Sequence, residues 1–254
     1  MTRRRFMMQL AGGLPPEPAS YVWHATYAGT NATFTAPADG WYLFHVIGKG
    51  GNGGRGGMYG YKISGGTATF YSGGGGGSGA SGAYALHAVY MLAGETAKIT
   101  YSTSQTTLVV QGETIIANAG GNGGDGPQTI TNNTGTPGSA GSAKTASGAN
   151  RLNISGKAGQ RGGYGSSSDP YGTRGVGAST SNPPYPTGSK YMNGTSKAQG
   201  SYPTSVTTGS GTILGNPGPG GQGGFSSTDG NITGSGYGGT TGAAGGVVVE
   251  KGAA

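Results

Sequence analysis

Eight carboxylates make up the whole acidic complement of this 254-residue chain: Glu17, Asp39, Glu95, Glu113, Asp125, Asp169, Asp229 and Glu250. They are dispersed along the sequence, and no close pair suggests the acid and base, or acid and nucleophile, of glycoside hydrolysis. The three histidines, His24, His45 and His87, all fall on expected strands. They are taken as core or interface residues, with a metal-binding trio as the open alternative. The absence of cysteine excludes disulfides, thiol catalysis and cysteine-based zinc sites. Serine is too abundant for any one to stand out as a nucleophile. Gly48-Lys49-Gly50-Gly51-Asn52-Gly53 fits the G-x-G-x-x-G of dinucleotide sites and follows a strand, but that chemistry needs a helix next. The following RGGMYG, Arg55 to Gly60, is too glycine-rich to form one. The expectation is a protein with no enzymatic activity, no metal and no cofactor.

Recognition chemistry is better represented. Ser166 to Leu214 is broken by Pro170, Pro183, Pro184, Pro186 and Pro203 and carries Tyr171, Tyr185, Tyr191 and Tyr202 with Arg174 and Lys190 among them. Tyrosine set among Ser, Gly and Asn is the chemistry of an adaptable binding surface. Tyr171, Arg174, Tyr185, Tyr191 and Tyr202 are therefore the candidate receptor-binding residues. The competing reading makes the tyrosines apolar cover for a glycine bundle. At the start of the chain, Arg3, Arg4, Arg5 and Phe6 look like a twin-arginine export signal. The apolar stretch after them is short, interrupted by Gln9, Gly12 and Gly13 and stopped by Pro15 and Pro16, so residues 1–20 are expected to be a retained arm used in assembly. No segment approaches the roughly 20 apolar residues of a membrane span. The net charge is +7, but beyond Arg3–Arg5 the basic residues are scattered singly and form no stripe, so neither a nucleic-acid nor a membrane partner is expected.

The elements that must position these residues come from two patterns. Trp41–Ile47 alternates two largely apolar sets after an Asp39-Gly40 turn signal, which suits a strand inside a sandwich. Further strands are expected at Ala83–Leu92, Lys98–Tyr101, Thr106–Val110, Thr114–Ala117 and Val247–Glu250, with two more at Tyr21–Tyr27 and Ala32–Thr35. No stretch has helical periodicity. The second pattern is glycine, 60 residues against about 7% in ordinary proteins. Glycine recurs at every third position in 48–60, 73–82, 120–126, 135–141, 156–165, 215–224 and 236–245. Period three is the turn of a polyproline-II-type helix, which has no internal hydrogen bonds and must find them in neighbours. In 48–58 two faces are nearly all glycine, and the third, Lys49, Asn52, Arg55 and Met58, is expected to face outward. Collagen would need long unbroken Gly-X-Y tracts, and these runs are short and separated by polar loops.

Phe34–Gly48 (FTAPADGWYLFHVIG) leading straight into glycine runs, and the ending Gly245–Val249 (GGVVV), resemble the glycine-rich domain of bacteriophage tail and fibre proteins. The plan is also similar to that of T-even-type tail-fibre tip adhesins. The resemblance covers about residues 30–250. It implies a β-sandwich or jelly-roll that sends out glycine excursions, is closed by its last strand, and supports loops that touch the host.

The resulting expectation is an all-β protein: an antiparallel, jelly-roll-like β-sandwich with a bundle of polyglycine-II helices. Its parts would be an arm at 1–20, a sandwich at 21–117 plus 247–254 interrupted by the runs 48–60 and 73–82, and a bundle with polar loops at 118–246. The expected function is a virion structural protein of a tail fibre, tail tip or head fibre, located in the virion. It would be a homo-oligomer, a trimer by analogy with phage fibres, docked on other virion proteins through its arm. Its loops would face a host glycan or outer protein. A subunit of a cellular glycine-rich filament or surface layer is the alternative. An ice-binding protein fits less well, because Lys49, Asn52 and Arg55 are not a regular threonine or alanine row.

Overall fold

A computed structural model describes residues 13–64, 67–71, 73–126, 138–164, 207–208, 212–213, 233–234 and 238–253. The strands are β1 (Tyr21–Ala28), β2 (Ala32–Thr35), β3 (Gly40–Ile47), β4 (Tyr59–Ser64), β5 (Thr67–Tyr71), β6 (Tyr84–Met91), β7 (Thr96–Tyr101), β8 (Gln105–Val110) and β9 (Glu113–Asn118). They continue with β10 (Ala146–Ser147), β11 (Leu152–Ile154), β12 (Thr207–Thr208), β13 (Thr212–Ile213), β14 (Thr233–Gly234) and β15 (Gly246–Gly252). Two five-stranded sheets, β1-β15-β3-β6-β11 and β10-β9-β8-β7-β2, are antiparallel throughout and pack on each other, and the described residues contain no helix. The all-β class expected from the alternation is thus the class of the molecule.

Alternation decides the core. Tyr42, Phe44 and Val46 of β3 point between the sheets with Val247 and Val249 of β15, Ala85, Val89 and Met91 of β6, and Leu108, Val110, Ile115 and Ala117 of the facing sheet. β15 lies between β1 and β3, with Val247 opposite Val46 and Val249 opposite Phe44, so segments about 200 residues apart in sequence are neighbours in one sheet. Turn chemistry fixes the β8–β9 register: Gln111 and Gly112 both have positive φ (52° and 86°), as a two-residue hairpin turn requires. Two short strands, β10 and β11, come from within 118–246, the stretch expected to be bundle, and add one edge strand to each sheet.

The glycine runs continue the sandwich strands. β3 leads into 48–57, 73–83 leads into β6, β9 leads into 119–126, 138–145 leads into β10, β11 leads into 156–163, and 238–245 leads into β15. Hydrogen bonds between runs recur every third residue. Gly48, Gly51, Gly54 and Gly57 N–H donate to the carbonyls of Ala83, Ala80, Gly77 and Gly74. Gly77, Ala80 and Ala83 N–H donate in turn to Gly124, Gly121 and Asn118, while Gly75, Ser78 and Ser81 N–H donate to Gly163, Gln160 and Lys157. The 73–83 run is buried along its length and exchanges bonds with 48–57, 118–126, 138–141 and 157–163. Such closeness is possible only without side chains: a Cβ on Gly51, Gly79 or Gly242 would overlap the carbonyl of Gly121, Gly51 or Gly50.

Paired sheets ordinarily stand about 10 Å apart, so the two must converge where strands become runs. Side-chain size achieves this. The core holds Phe34, Tyr42 and Met91 toward the far end and Val46, Ala85, Ala117 and Val247 beside the runs. There Thr106 Oγ1 donates across the sandwich to the Ile47 carbonyl (2.7 Å), and Ala83 N–H donates to Asn118 O (2.9 Å). Gly79→Ala is expected to destabilise the protein by about 3 kcal/mol or more, because backbone rather than a pliable side chain must move. Gly238→Ala, with nothing within 4 Å of the added carbon, is expected to stay within about 0.5 kcal/mol of wild type. Urea melts of both variants check this, and equal losses would contradict the packing.

Candidate functional site

The candidate recognition residues Tyr171, Arg174, Tyr185, Tyr191 and Tyr202, and the assembly residues Arg3, Arg4, Arg5 and Phe6, lie outside the described residues. The expected glycine run 215–224 lies outside them too. The described runs 48–57, 119–126 and 156–163 end, and 73–83, 138–145 and 238–245 begin, on the side of the lattice remote from the sandwich. The β4–β5 hairpin follows the first of these in the chain, and β14 pairs with β4 through Thr233–Gly60 and Gly234–Tyr59. Segments far apart in the sequence are therefore hydrogen-bonded together there.

Polar side chains complete the lattice where a neighbouring backbone cannot. Ser78 and Ser81, buried and one three-residue turn apart, accept from Gln160 N–H (2.8 Å) and Lys157 N–H (2.7 Å) through Oγ, while their own N–H groups donate back to the same residues. Asn122 Oδ1 accepts from Asn52 N–H (2.9 Å) and Asp125 Oδ1 from Arg55 N–H (2.6 Å). The outward expectation for Asn52 needs correction. Its Oδ1 accepts from Gly242 N–H (3.1 Å) and from Lys49 Nζ (2.9 Å), so it joins its run to 238–245. Burial also holds the Lys49 pKa below its usual value. In sequence these residues differ from their glycine neighbours only by polarity at period three, a signal visible at Ser78 and Ser81 but without a partner until the runs are assembled.

The histidines go to three places. His24 sits at the β1 bulge and packs edge-on against Phe34 and Tyr42. His45, on the opposite face of its sheet, lies between Tyr84 OH (2.8 Å from Nδ1) and Glu250 Oε2 (3.2 Å from Nε2). The ionised Glu250 carboxylate can only accept, so Nε2–H donates to it. Burial, then the Glu250 charge, raises the Tyr84 pKa well above its usual value and pushes Tyr21 up to about 12. His87 is buried at the sandwich edge with its Nε2 3.5 Å from Glu113 Oε2. The described residues hold no group of three or more His, Asp or Glu arranged for a metal ion. No known family matches the chain, and no characterised protein matches it.

Ser81→Ala leaves the Lys157 N–H without its Oγ acceptor and is expected to cost about 1–2 kcal/mol in urea melts. A neutral effect would remove the serine from the lattice. Burial lowers the His87 pKa from 6.5, with Glu113 opposing the shift. Below about pH 6.5 the unfolded chain binds a proton there that the folded chain resists, so stability is lost as pH falls through the lowered folded value. Between about pH 7 and pH 5 the wild type should therefore lose more stability than His87→Gln. Equal losses would contradict a buried neutral imidazole.

Proposed function

We propose that the chain is a non-enzymatic virion protein of a phage tail fibre, tail tip or head fibre, in which a sandwich carries a stem of polyglycine-II helices that displays loops to the host surface. The observation that carries this reading is the polarity of the molecule. Pro15 is held at the sandwich end, where its carbonyl accepts from Trp41 Nε1 (2.9 Å), and the arm with Arg3, Arg4, Arg5 and Phe6 precedes it in the chain. The described runs that border 58–72, 127–137 and 165–237 in the chain meet those segments at the opposite end of the lattice. At the roughly 3.1 Å rise of such a helix, the residues from Gly48 to Gly57 would set that end about 28 Å beyond the strands. Attachment at one end and display at the other is the arrangement a fibre component needs. The bundle supplies rigidity and no chemistry, since a glycine face has no side chains to discriminate anything, so contacts fall to the loops.

Under this reading the protein is a homo-oligomer, a trimer by analogy with phage fibres, and its partners are other virion proteins and a host glycan or outer protein. Gold-labelled antibody against the chain should decorate fibres or tips of virions in electron micrographs. Label on cellular filaments or surface layers would overturn the assignment. Alanine substitution of Tyr171, Arg174, Tyr185, Tyr191 and Tyr202 in turn is expected to weaken host-cell adsorption by about 1–3 kcal/mol at one or two positions with the melting temperature unchanged. Lowered melting temperatures with adsorption intact would instead make the tyrosines cover for the stem.

A further inference from the structure

The sandwich is open along one edge. β11 pairs with β6 only at Tyr84–Leu86, and β10 with β9 only at Ile116 and Ala117. Beyond them Asn150 stands in for a strand at a single position, its Oδ1 accepting from Ala88 N–H (3.0 Å) and its Nδ2 donating to Ala88 O (2.8 Å). A cleft of about 290 Å³ lies there, between β6 and the start of β9. Trp41 and Tyr90 form one wall, packed edge-to-face at 5.9 Å, and His87, Glu113, Gln111 and Arg151 supply its polar groups.

The state of those groups selects the ligand. Several donors have partners: Trp41 Nε1 donates to Pro15 O, Gln111 Nε2 donates to Tyr90 O (2.8 Å) and Glu95 Oε2 (3.0 Å), and Arg151 Nη2 is paired with Glu17. Acceptors remain. The Glu113 carboxylate is 63% exposed, with His87 Nε2 at 3.5 Å, too long for a hydrogen bond. His87 is 1% exposed, and its Nδ1 has no hydrogen-bond partner among the described residues. Burial lowers the His87 pKa from 6.5, so near pH 7 the ring adds no positive charge beside Glu113. Glu17, Asp39, Glu95 and Glu113 also gather around this end of a chain whose net charge is +7.

An aromatic wall beside an exposed carboxylate, with the one guanidinium that lines the cleft already paired to Glu17, suits a ligand that carries a positive charge and donates. Ammonium and guanidinium groups have that property, and aromatic faces attract them. We propose that this cleft binds an alkylammonium or alkylguanidinium group, the chemistry shared by free amines and by lysine or arginine side chains.

The test follows the indole N–H signals of the full chain by NMR, with Trp23 as internal reference for Trp41, during titration with n-butylammonium, n-butylguanidinium, n-butanol and an end-blocked arginine tetrapeptide. Saturable shifts of Trp41 are expected with the cations and not with butanol. Glu113→Gln, at an exposed side chain, should weaken cation binding about tenfold, while Asp125→Asn should not change it. Tighter binding of the peptide than of butylguanidinium would assign the cleft to a polypeptide partner, and equal binding to free amines. The proposal is overturned if Trp41 does not shift saturably, if butanol acts as the cations do, or if Glu113→Gln binds as the wild type.

Discussion

A run of chain that sends its hydrogen bonds outward at every third residue keeps none for itself, and this constraint organises the rest of the molecule. Each run needs neighbours that reach it within backbone distance, which requires faces without Cβ atoms. Among the described runs only 73–83 is buried along its whole length, and it is also the run composed almost wholly of glycine, alanine and serine. The runs around it turn one side to solvent, and there Asn122, Asp125 and Asn52 accept the bonds that no further backbone can take. Ordering a residue costs about 1–2 kcal/mol, and more for glycine. A net hydrogen bond returns about 0.5–1.5 kcal/mol. Such a lattice cannot be stable by itself, and it has to be held by something with a conventional core.

The sandwich does this by handing over its register. Ile47 is opposite Tyr84 in β3 and β6, and the bonds from Gly48 to Ala83 and from Gly51 to Ala80 continue the same antiparallel pairing. Gly246 opposite Ile47 leads likewise into Gly50 donating to Ala243. Neighbours in a sheet are thus neighbours in the lattice. The alanines at the narrow end of the core add what a sheet cannot, bonds between runs that arise from opposite sheets, such as Gly120 to Lys49. The same arrangement separates an end that holds Pro15 from an end where the described runs stop, and the proposed fibre role rests on that separation.

The strands and the period of the glycine runs were legible in the sequence because both depend on local spacing. Apolar alternation placed β3 and β6, and three-residue recurrence marked the runs, whichever neighbours they would find. Features set by distant partners were not legible. Asn52 looked free because Gly242, its partner, lies 190 residues further along the chain. β10 and β11 are two and three residues long and carry no pattern of their own; pairing with β9 and β6 creates them. The shortness of β11 in turn leaves His87 and Glu113 facing a cleft, so that site depends on where an edge strand stops. Tyr171 and its companions were chosen on side-chain chemistry alone, and they lie outside the described residues.

Amide hydrogen exchange tests the central claim, that the runs form a cooperative lattice continuous with the sandwich. The N–H groups of Gly51, Gly54, Gly77 and Ala80 should exchange only on global unfolding, at the rate of those in β3 and β6, because each is bonded to another run whose release would disturb the rest. If these amides exchange rapidly while β3 and β6 stay protected, the runs are loosely attached to an independent sandwich, and the claim of a continuous lattice fails.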